Sequence, residues 1–260
     1  MDLDPNQQAA EQQFSRQSSR YGKSHILADY SDVDAALDLL PELPGKTALD
    51  VATGGGHTAL CLANRGFEVT ISDISEAMLR AAEGLLAEND FEIGGAFCHT
   101  AEQFPFLNSS LDLVTCRVAA HHFSDPAKFV QETTRVLRPG GALVVIDGSV
   151  DDGFPEAEAW THQVEKLRDP SHGRFLTPKW WKSNCEAAGL DIISCTLRPM
   201  KMPDLEWYFE AANTPDTNRK QVRALVENVP EEARSLFRVS APKESPTTWY
   251  WRRLTLVAQK

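Results

Sequence analysis

Residues 47 to 150 alternate short apolar runs with segments whose apolar residues recur at helical spacing. The apolar runs are typical of buried strands: KTALDVAT, FEVTISDI, FEIGGAFCHT, LDLVTCRVA and, after a turn at RPGG, ALVVIDGSV. Strands that alternate with helices over this length predict a parallel sheet with helices on both faces. Ligands of such sheets bind beyond the carboxyl ends of the strands, so functional residues are expected at that edge.

The predicted helices carry the residue types that begin and end helices. Ser, Asp and Thr cap the first turn, proline fits its first position, and glycine commonly follows the last residue. These signals lie at Ser75, at Asp125 with Pro126, at Thr177 with Pro178, and at Gly66 and Gly189. Two further strands are predicted, LDIISCTLRP and the C-terminal TTWYWRRLTLVAQK, and the second places Leu254, Leu256 and Ala258 on one face.

Composition divides the chain into three parts. Residues 1–19 are rich in Gln and Ser, which predicts a disordered tail or one ordered only against a neighbour. Residues 203–245 are helical in pattern but broken by proline, and we interpret them as an inserted lid before the last strand. Residues 20–202 and 246–260 then form the core domain.

Charge and cysteine content exclude several classes of protein. The formal net charge is −11 and no cluster of Lys and Arg stands out, which argues against nucleic acid as a partner. No apolar stretch approaches the roughly 18 residues of a membrane span, and the polar N-terminus lacks the apolar region of a secretory signal. The five cysteines include no CxxC pair, so neither a disulfide framework nor a zinc site is indicated. We expect a cytoplasmic protein without a bound metal.

Three consecutive glycines follow the first predicted strand, and the segment from Gly54 to Ala59 fits the dinucleotide fingerprint G-x-G-x-x-G/A. Asp50, just before this turn, distinguishes two ligand classes. A pyrophosphate would be repelled by its carboxylate, whereas a ligand with an ammonium and a sulfonium would be stabilised. The alternative is that Asp50 only caps the turn. Asp73 ends the second strand, where a carboxylate can accept both hydroxyls of a ribose in either ligand.

Four stretches carry a resemblance to a known family: ALDVATGGGHTALCLA, VTISDISEAML, AEQFPFLNSSLDLVTCRVAAHHFSDP and FVQETTRVLRPGGALVVID. In this order they resemble the class I S-adenosylmethionine-dependent methyltransferases, in particular the small-molecule branch of ubiquinone/menaquinone-biosynthesis-type C-methyltransferases. The resemblance implies a Rossmann-like α/β fold with a seven-stranded, mostly parallel sheet and an antiparallel last strand. It also implies S-adenosyl-L-methionine as the cofactor and a small organic acceptor, methylated on carbon or oxygen by in-line displacement.

The resemblance further implies which residues hold the cofactor. The loop through Asp50, Ala52, Gly54 and Gly56 would bind the methionyl part, Asp73 the ribose, Ile74 and Met78 the adenine, and Ala101 with Glu102 the adenine edge. Cys116, Arg117 and Val118 would lie near the sulfonium, and Tyr21 and His25, in an N-terminal segment that often closes over the cofactor in this fold, near the methionyl carboxylate.

Two positions depart from the family's pattern. Ala52 stands where the family usually has its first glycine, which is tolerable if this residue needs no positive φ. Thr100 replaces the acid that commonly accepts a hydrogen bond from the adenine amino group, and a hydroxyl would accept that bond more weakly.

His121 and His122 follow the fourth strand on the side where the acceptor is expected. With a pKa near neutrality, either imidazole could take a proton from a hydroxyl or an activated carbon, so we predict both as catalytic residues. The alternative is that one ring only packs or hydrogen-bonds to backbone. The segment LRDPSHGRF would either bind the acceptor or form an ion-paired loop, and Trp207 is a candidate pocket wall.

Three other functions remain open at this point. An NAD(P)-dependent oxidoreductase would use the same glycine turn, but Asp50 and the RVLRPGG context argue against it. A non-catalytic S-adenosylmethionine-binding protein would share every cofactor residue. Methylation of nucleic acid is disfavoured by the charge and by the absence of an Asn/Asp-Pro-Pro-aromatic element. The sequence leaves open whether the chain forms a homodimer.

Overall fold

The computed structural model describes residues 2–21, 28–240 and 247–260, with backbone alone at 19–21. The strands are β1 (Thr47–Val51), β2 (Glu68–Asp73), β3 (Gly95–Cys98), β4 (Leu111–Arg117), β5 (Leu137–Ser149), β6 (Asp191–Lys201) and β7 (Tyr250–Gln259). The helices are α1 (Pro5–Tyr21), α2 (Ser31–Leu37), α3 (His57–Asn64), α4 (Glu76–Glu88), α5 (Pro126–Val136), α6 (Pro155–Arg168), α7 (Pro178–Ala187), α8 (Leu205–Ala212), α9 (Asp216–Glu227) and α10 (Glu231–Leu236).

The strands form one seven-stranded sheet in the order β3-β2-β1-β4-β5-β7-β6. The first five strands run parallel, and β7 lies antiparallel between β5 and β6. Strand order reverses direction between β1 and β4, which creates the switch point where ligands of open α/β sheets bind. The predicted Rossmann-like sheet, mostly parallel with an antiparallel last strand, is confirmed.

Alternate residues of β5 face two separate hydrophobic cores. Leu143 and Val145 pack in the core that contains Phe129 of α5 and Trp181 of α7. Val144 and Ile146 pack in the opposite core, which contains Val33 of α2 and Leu62 of α3. The predicted face of Leu254, Leu256 and Ala258 lies in the first of these cores. A sheet buried on both faces explains why its strands are nearly continuous apolar runs.

The predicted helix caps are in place. The side chains of Ser75, Asp125 and Thr177 accept hydrogen bonds from the backbone N–H groups three residues later, at Met78, Lys128 and Trp180. Each bond satisfies a donor that the helix itself leaves free. None of the described helices combines the length and apolar character that a membrane crossing requires.

The RPGG segment was expected as a turn before the fifth strand, but it lies inside β5. Leu111 pairs with Leu137 and Leu113 pairs with Ala142, so two residues of β4 span five positions of β5. Gly140, with φ of 83°, absorbs the extra residues without leaving the sheet.

The N-terminal residues were expected as a disordered tail, but the structure places Pro5–Tyr21 in helix α1. Asp4 accepts hydrogen bonds from the backbone N–H groups of Asn6 and Gln7, as an N-cap does. The buried residues of the helix, Ala10 and Gln17, face the rest of the chain. Contacts with distant residues therefore supply the order that the local sequence does not.

Candidate functional site

A cavity lies beyond the carboxyl ends of β1, β2 and β4, at the switch point of the sheet. It encloses about 920 Å³ of space not occupied by atoms, including its open mouth. Its walls are the loop after β1, the end of β2, the loops after β3 and β4, and one face of helix α1. A concave site at the switch point of an α/β sheet is where small-molecule ligands commonly bind.

Asp73, at the end of β2, lines the cavity and ties its loops together. Its carboxylate accepts hydrogen bonds from the backbone N–H groups of Gly54, at 3.0 Å, and Ser75, at 2.9 Å. Burial raises the pKa of Asp73 to about 6, although these hydrogen bonds act in the opposite direction. Each carboxylate oxygen keeps a lone pair for a further donor, such as a hydroxyl group of a ligand.

Asp50 does not line the cavity, contrary to the expectation of a cofactor contact. Its carboxylate lies behind the glycine turn, 1% exposed, and accepts hydrogen bonds of 2.7 Å from the hydroxyls of Thr53 and Thr115. Burial raises its pKa to about 6. Asp50 therefore holds the turn, as the structural alternative proposed, and acts on a ligand only through its charge.

Gly56 is likewise absent from the cavity wall. It has φ of 86°, and a Cβ there would lie 2.8 Å from the Cα of Ala82 in α4. Glycine is required because helix α4 packs directly on the turn. Gly54 and Ala52 do line the cavity.

Ala52 has φ of 53°, so the assumption that this position needs no positive φ is wrong.

Replacing Ala52 with Gly is expected to raise the free energy of unfolding by about 0.5–1 kcal/mol, because relief of left-handed strain exceeds the added entropy of the unfolded chain. Denaturant unfolding measures this change. Ala81, partly exposed in the interior of helix α4, is the matched control, and Ala81→Gly should instead lower stability by about 1 kcal/mol. A loss of stability in Ala52→Gly would contradict the strain.

Ile74, Met78, Ala101 and Glu102 line the cavity, whereas Thr100 does not. The carboxylate of Glu102 is already engaged, since it accepts from the side-chain amide of Gln7 and from the backbone N–H of Ser124. Glu102 therefore connects helix α1 to the loop before α5. Glu102 lies on the cavity wall as expected, but its carboxylate oxygens are used in hydrogen bonds within the protein.

His99 lines the cavity and was missed by the sequence analysis. Its Nδ1 lies 2.8 Å from the carbonyl oxygen of Thr100, while Nε2 is buried without a hydrogen-bond partner among the described residues. Burial lowers the pKa of His99, so the ring is neutral at neutral pH. With Nδ1 donating to the carbonyl, Nε2 is an acceptor that a ligand amino group could satisfy.

Helix α1 covers the cavity with Gln7, Ala10 and Phe14. Asn6 donates to the carbonyl oxygen of His122 at 3.0 Å, and the hydroxyls of Ser15 and Ser75 lie 2.7 Å apart. The helix is therefore held over the site by direct contacts near its N-terminus and past its midpoint. Of the predicted N-terminal cofactor residues, Tyr21 ends this helix without a described side chain, and His25 lies outside the described residues.

The predicted lid, residues 203–245, contributes no described residue to the cavity wall, and this includes Trp207. Its helices α8, α9 and α10 pack instead on α6 in a third hydrophobic core. The segment reaches the site indirectly, because Gln13 and Gln17 of α1 donate to the carbonyl oxygen of Ala212.

Arg117 and Val118 line the cavity at the end of β4, and Cys116 does not. The Arg117 guanidinium pairs with Asp32 at 2.8 Å and donates to the carbonyl oxygen of Asp29. Val118 has φ of 55°, an unusual conformation for a β-branched residue, and such strain is concentrated at functional sites.

His122 lines the cavity, and His121 lies behind it with ring centroids 4.1 Å apart. Asp147 of β5 is 2.7 Å from Nδ1 of His121, and although burial disfavours the charged ring, this carboxylate raises the pKa of His121. Burial and the adjacent His121 lower the pKa of His122 to about 4. The pKa values of the two rings are thus shifted in opposite directions, and that of His122 lies well below the expected range near neutrality, so the ring at the cavity is neutral at neutral pH.

The RDPSH loop, residues 168–173 at and after the end of helix α6, does not line the cavity but holds the two histidines from behind. Gly173 donates to the carbonyl oxygen of His121 at 2.8 Å, and Ser171 lies 3.1 Å from Nδ1 of His122. Within the described parts of the chain, no three His, Cys, Asp or Glu side chains come together in a way that could hold a metal ion.

Comparisons with known proteins agree with this architecture. A family model described as a methyltransferase domain matches residues 49–145. The uncharacterized methyltransferase YcgJ of Bacillus subtilis is 28% identical over 225 residues, which cover 86% of this chain and 88% of that one. Its crystal structure superposes with a TM-score of 0.80 and 26% identity, over 89% of this chain and 98% of that one.

Two further relatives point the same way. A putative methyltransferase from Bacillus halodurans has a TM-score of 0.80 and 29% identity, over 88% of this chain and 99% of that one. The ubiquinone biosynthesis O-methyltransferase of Pseudomonas paraeruginosa is 30% identical over 68% of this chain and 77% of its own length. With the seven-stranded sheet and the cavity at its switch point, these similarities show that the chain belongs to the class I methyltransferase family.

Proposed function

We propose that the protein uses S-adenosyl-L-methionine to methylate a carbon or oxygen atom of a small organic acceptor by in-line displacement. The observation that carries this proposal is the acidic character of the glycine turn, which has Asp50 behind it and Asp73 on its cavity side. Two carboxylates beside one turn favour a ligand with an ammonium and a sulfonium over a diphosphate.

The residues present fit this cofactor. Asp73 would accept the ribose hydroxyls, and the turn from Ala52 to Gly55 would hold the methionyl part. Ile74, Met78 and Ala101 offer the apolar wall that an adenine ring needs. The unpartnered Nε2 of His99 would accept from the adenine amino group, the role that the sequence assigned to position 100.

The cavity fits a dinucleotide less well. Among the described lining residues Arg117 is the one Lys or Arg side chain, and it is already paired with Asp32. The backbone N–H of Gly54, which a pyrophosphate would use, donates to Asp73 instead. An NAD(P)-dependent oxidoreductase is therefore the weaker candidate.

When bound, the cofactor supplies a methyl group on a positively charged sulfur. Three of the described histidines line the cavity, His57, His99 and His122. We assign His122 as the group that takes a proton from an acceptor hydroxyl or activated carbon, because it follows β4 on the side where the acceptor is expected and its lowered pKa leaves the ring unprotonated. His121 acts through His122, since it does not line the cavity. Phe14 and Phe123 add apolar walls beside His122, in keeping with a small organic acceptor.

We further propose that helix α1 is the lid and that residues 203–245 support it. Residues of α1 line the cavity, and Gln13 and Gln17 of the same helix donate hydrogen bonds to the carbonyl oxygen of Ala212. A closed lid excludes water and fixes the acceptor relative to His122. In this proposal residues 203–245 are still an insertion into the core domain, but helix α1 is the part of the chain that covers the cavity.

Calorimetry on cofactor-free protein tests the choice of cofactor. S-adenosylhomocysteine should bind and NAD should not at pH 7.5, and the affinity for S-adenosylhomocysteine should fall up to about tenfold for each pH unit below 6 as Asp73 is protonated. The contribution of Asp73 to the stability of the cofactor-free protein changes in the opposite direction. Because the pKa of Asp73 is raised on folding, its contribution is present at low pH and is lost as the pH rises through about 6. Tight binding of NAD and none of S-adenosylhomocysteine would overturn the proposal.

A further inference from the structure

The side chains of the RDPSH loop make a chain of hydrogen bonds that ends on His122. The Ser171 hydroxyl lies 2.6 Å from Oδ1 of Asp169, and the Ser171 backbone N–H donates to the same oxygen at 2.9 Å. Both the hydroxyl oxygen and the carbonyl oxygen of Ser171 lie 3.1 Å from Nδ1 of His122. Asp169, Ser171 and His122 are all buried, so water does not compete for these bonds.

The donors and acceptors of this chain fix the position of each proton. Asp169 can only accept, so the single hydroxyl hydrogen of Ser171 points to it at charge-assisted distance. The hydroxyl oxygen and the carbonyl oxygen then face Nδ1 as two acceptors, and Nδ1 must carry the hydrogen. In a neutral imidazole this leaves the lone pair on Nε2.

Nε2 is the atom that the cavity can use. No described residue makes a hydrogen bond to Nε2 of His122, and the ring lines the cavity beside Phe14. We propose that Asp169 and Ser171 are positioning residues, which hold His122 in the Nδ1–H tautomer and direct its basic nitrogen at the acceptor. This inference rests on the proposed role of His122 as the base.

Charge supports the same arrangement. Asp147 pairs with His121, and Arg168 pairs with Glu165. Asp169 is therefore the carboxylate that reaches His122, through the hydroxyl of Ser171. When Nε2 gains a proton, Nδ1–H, Ser171 and Asp169 form a continuous path from the new imidazolium to a carboxylate. The ring of His172 packs against the rings of His121 and His122. Burial lowers the pKa of His172, so this ring stays neutral.

NMR of the histidine ring nitrogens tests the tautomer of His122 and needs no methyl acceptor. Histidine labelled with ¹⁵N, in protein bound to S-adenosylhomocysteine at pH 7.5, should show His122 with hydrogen on Nδ1 and an unprotonated Nε2. Ser171→Ala and Asp169→Asn should each shift the population of His122 toward the Nε2–H tautomer. The first variant removes one of the two oxygens that accept a hydrogen bond from Nδ1, and the second removes the charge that orients the Ser171 hydroxyl. Ser149→Ala is the matched control, since Ser149 is equally buried and donates to the Leu176 carbonyl. It should leave the spectrum unchanged.

The outcomes separate this inference from the proposed function. Hydrogen on Nε2 in the unsubstituted protein, or an unchanged tautomer in both variants when they still bind S-adenosylhomocysteine, would overturn the positioning role and leave the cofactor assignment standing. Failure to bind S-adenosylhomocysteine with hydrogen on Nδ1 of His122 would overturn the function and not the hydrogen-bond chain. If a variant unfolds, as the loss of binding and of its NMR dispersion would show, the other variant decides.

Discussion

Replacing His122 with Gln is expected to lower turnover by about 10²–10⁴-fold while the affinity for S-adenosylhomocysteine stays nearly unchanged. Glutamine has a similar size and can donate and accept hydrogen bonds, but it cannot take up a proton. The loss should therefore appear in kcat for an acceptor whose hydroxyl or carbon must be deprotonated. Release of S-adenosylhomocysteine in the presence of a panel of small organic acceptors measures turnover, and calorimetry measures binding.

His162→Gln is the control for this variant, because His162 is an exposed side chain of helix α6 that does not line the cavity at the switch point. It should retain turnover. If His122→Gln methylates the same acceptor within about threefold of the unsubstituted protein, His122 is not a base and only forms part of the wall.

Replacing Asp73 with Asn should weaken the binding of S-adenosylhomocysteine by about 10²-fold or more, which corresponds to the loss of two hydrogen bonds to a charged acceptor. Asparagine offers one oxygen where the carboxylate offers two, and its NH₂ group would face the backbone N–H of Gly54 or Ser75. The thermal stability of the cofactor-free protein should change little, because replacing a buried carboxylate removes its desolvation cost. Calorimetry and thermal unfolding together separate the two effects.

Asp90→Asn provides the comparison, since Asp90 is exposed and its positive φ of 62° suits asparagine. It should bind S-adenosylhomocysteine normally. A loss of less than about threefold in Asp73→Asn would mean that the ribose is held elsewhere and that the buried carboxylate serves only the turn.

Two errors in the sequence interpretation have identifiable physical causes. Asp4 and Pro5 form the same cap-and-proline signal that correctly located helix α5 at Asp125 and Pro126, and the spacing of Gln7, Ala10 and Phe14 is that of one helical face. The high content of Gln and Ser nevertheless predicted a disordered tail, and this prediction is wrong. What orders α1 is its burial against the cavity and Ala212, and such long-range contacts leave no local mark in composition.

The placement of Asp50 shows a second limit. Its position before the glycines correctly indicated a carboxylate at the turn, yet Thr115, 65 residues away, holds it behind the turn. Ala52 and Val118 likewise adopt positive φ because the packed loops impose it, against their own preferences. The sequence spacing identifies which residues approach the site, but not which of their atoms face the cavity.

The sequence by itself determined the sheet, the helix caps and many of the residues that line the cavity, because apolar periodicity, caps and the glycine turn are local properties of the chain. The tertiary structure decided that α1, and not the described residues 203–240, lines the cavity, and that the RDPSH loop stands behind His122. These features depend on contacts between residues more than 40 positions apart, such as Ser171 with His122 and Gln13 with Ala212. Their formation depends on the packing of the whole chain, so no short stretch of sequence encodes them.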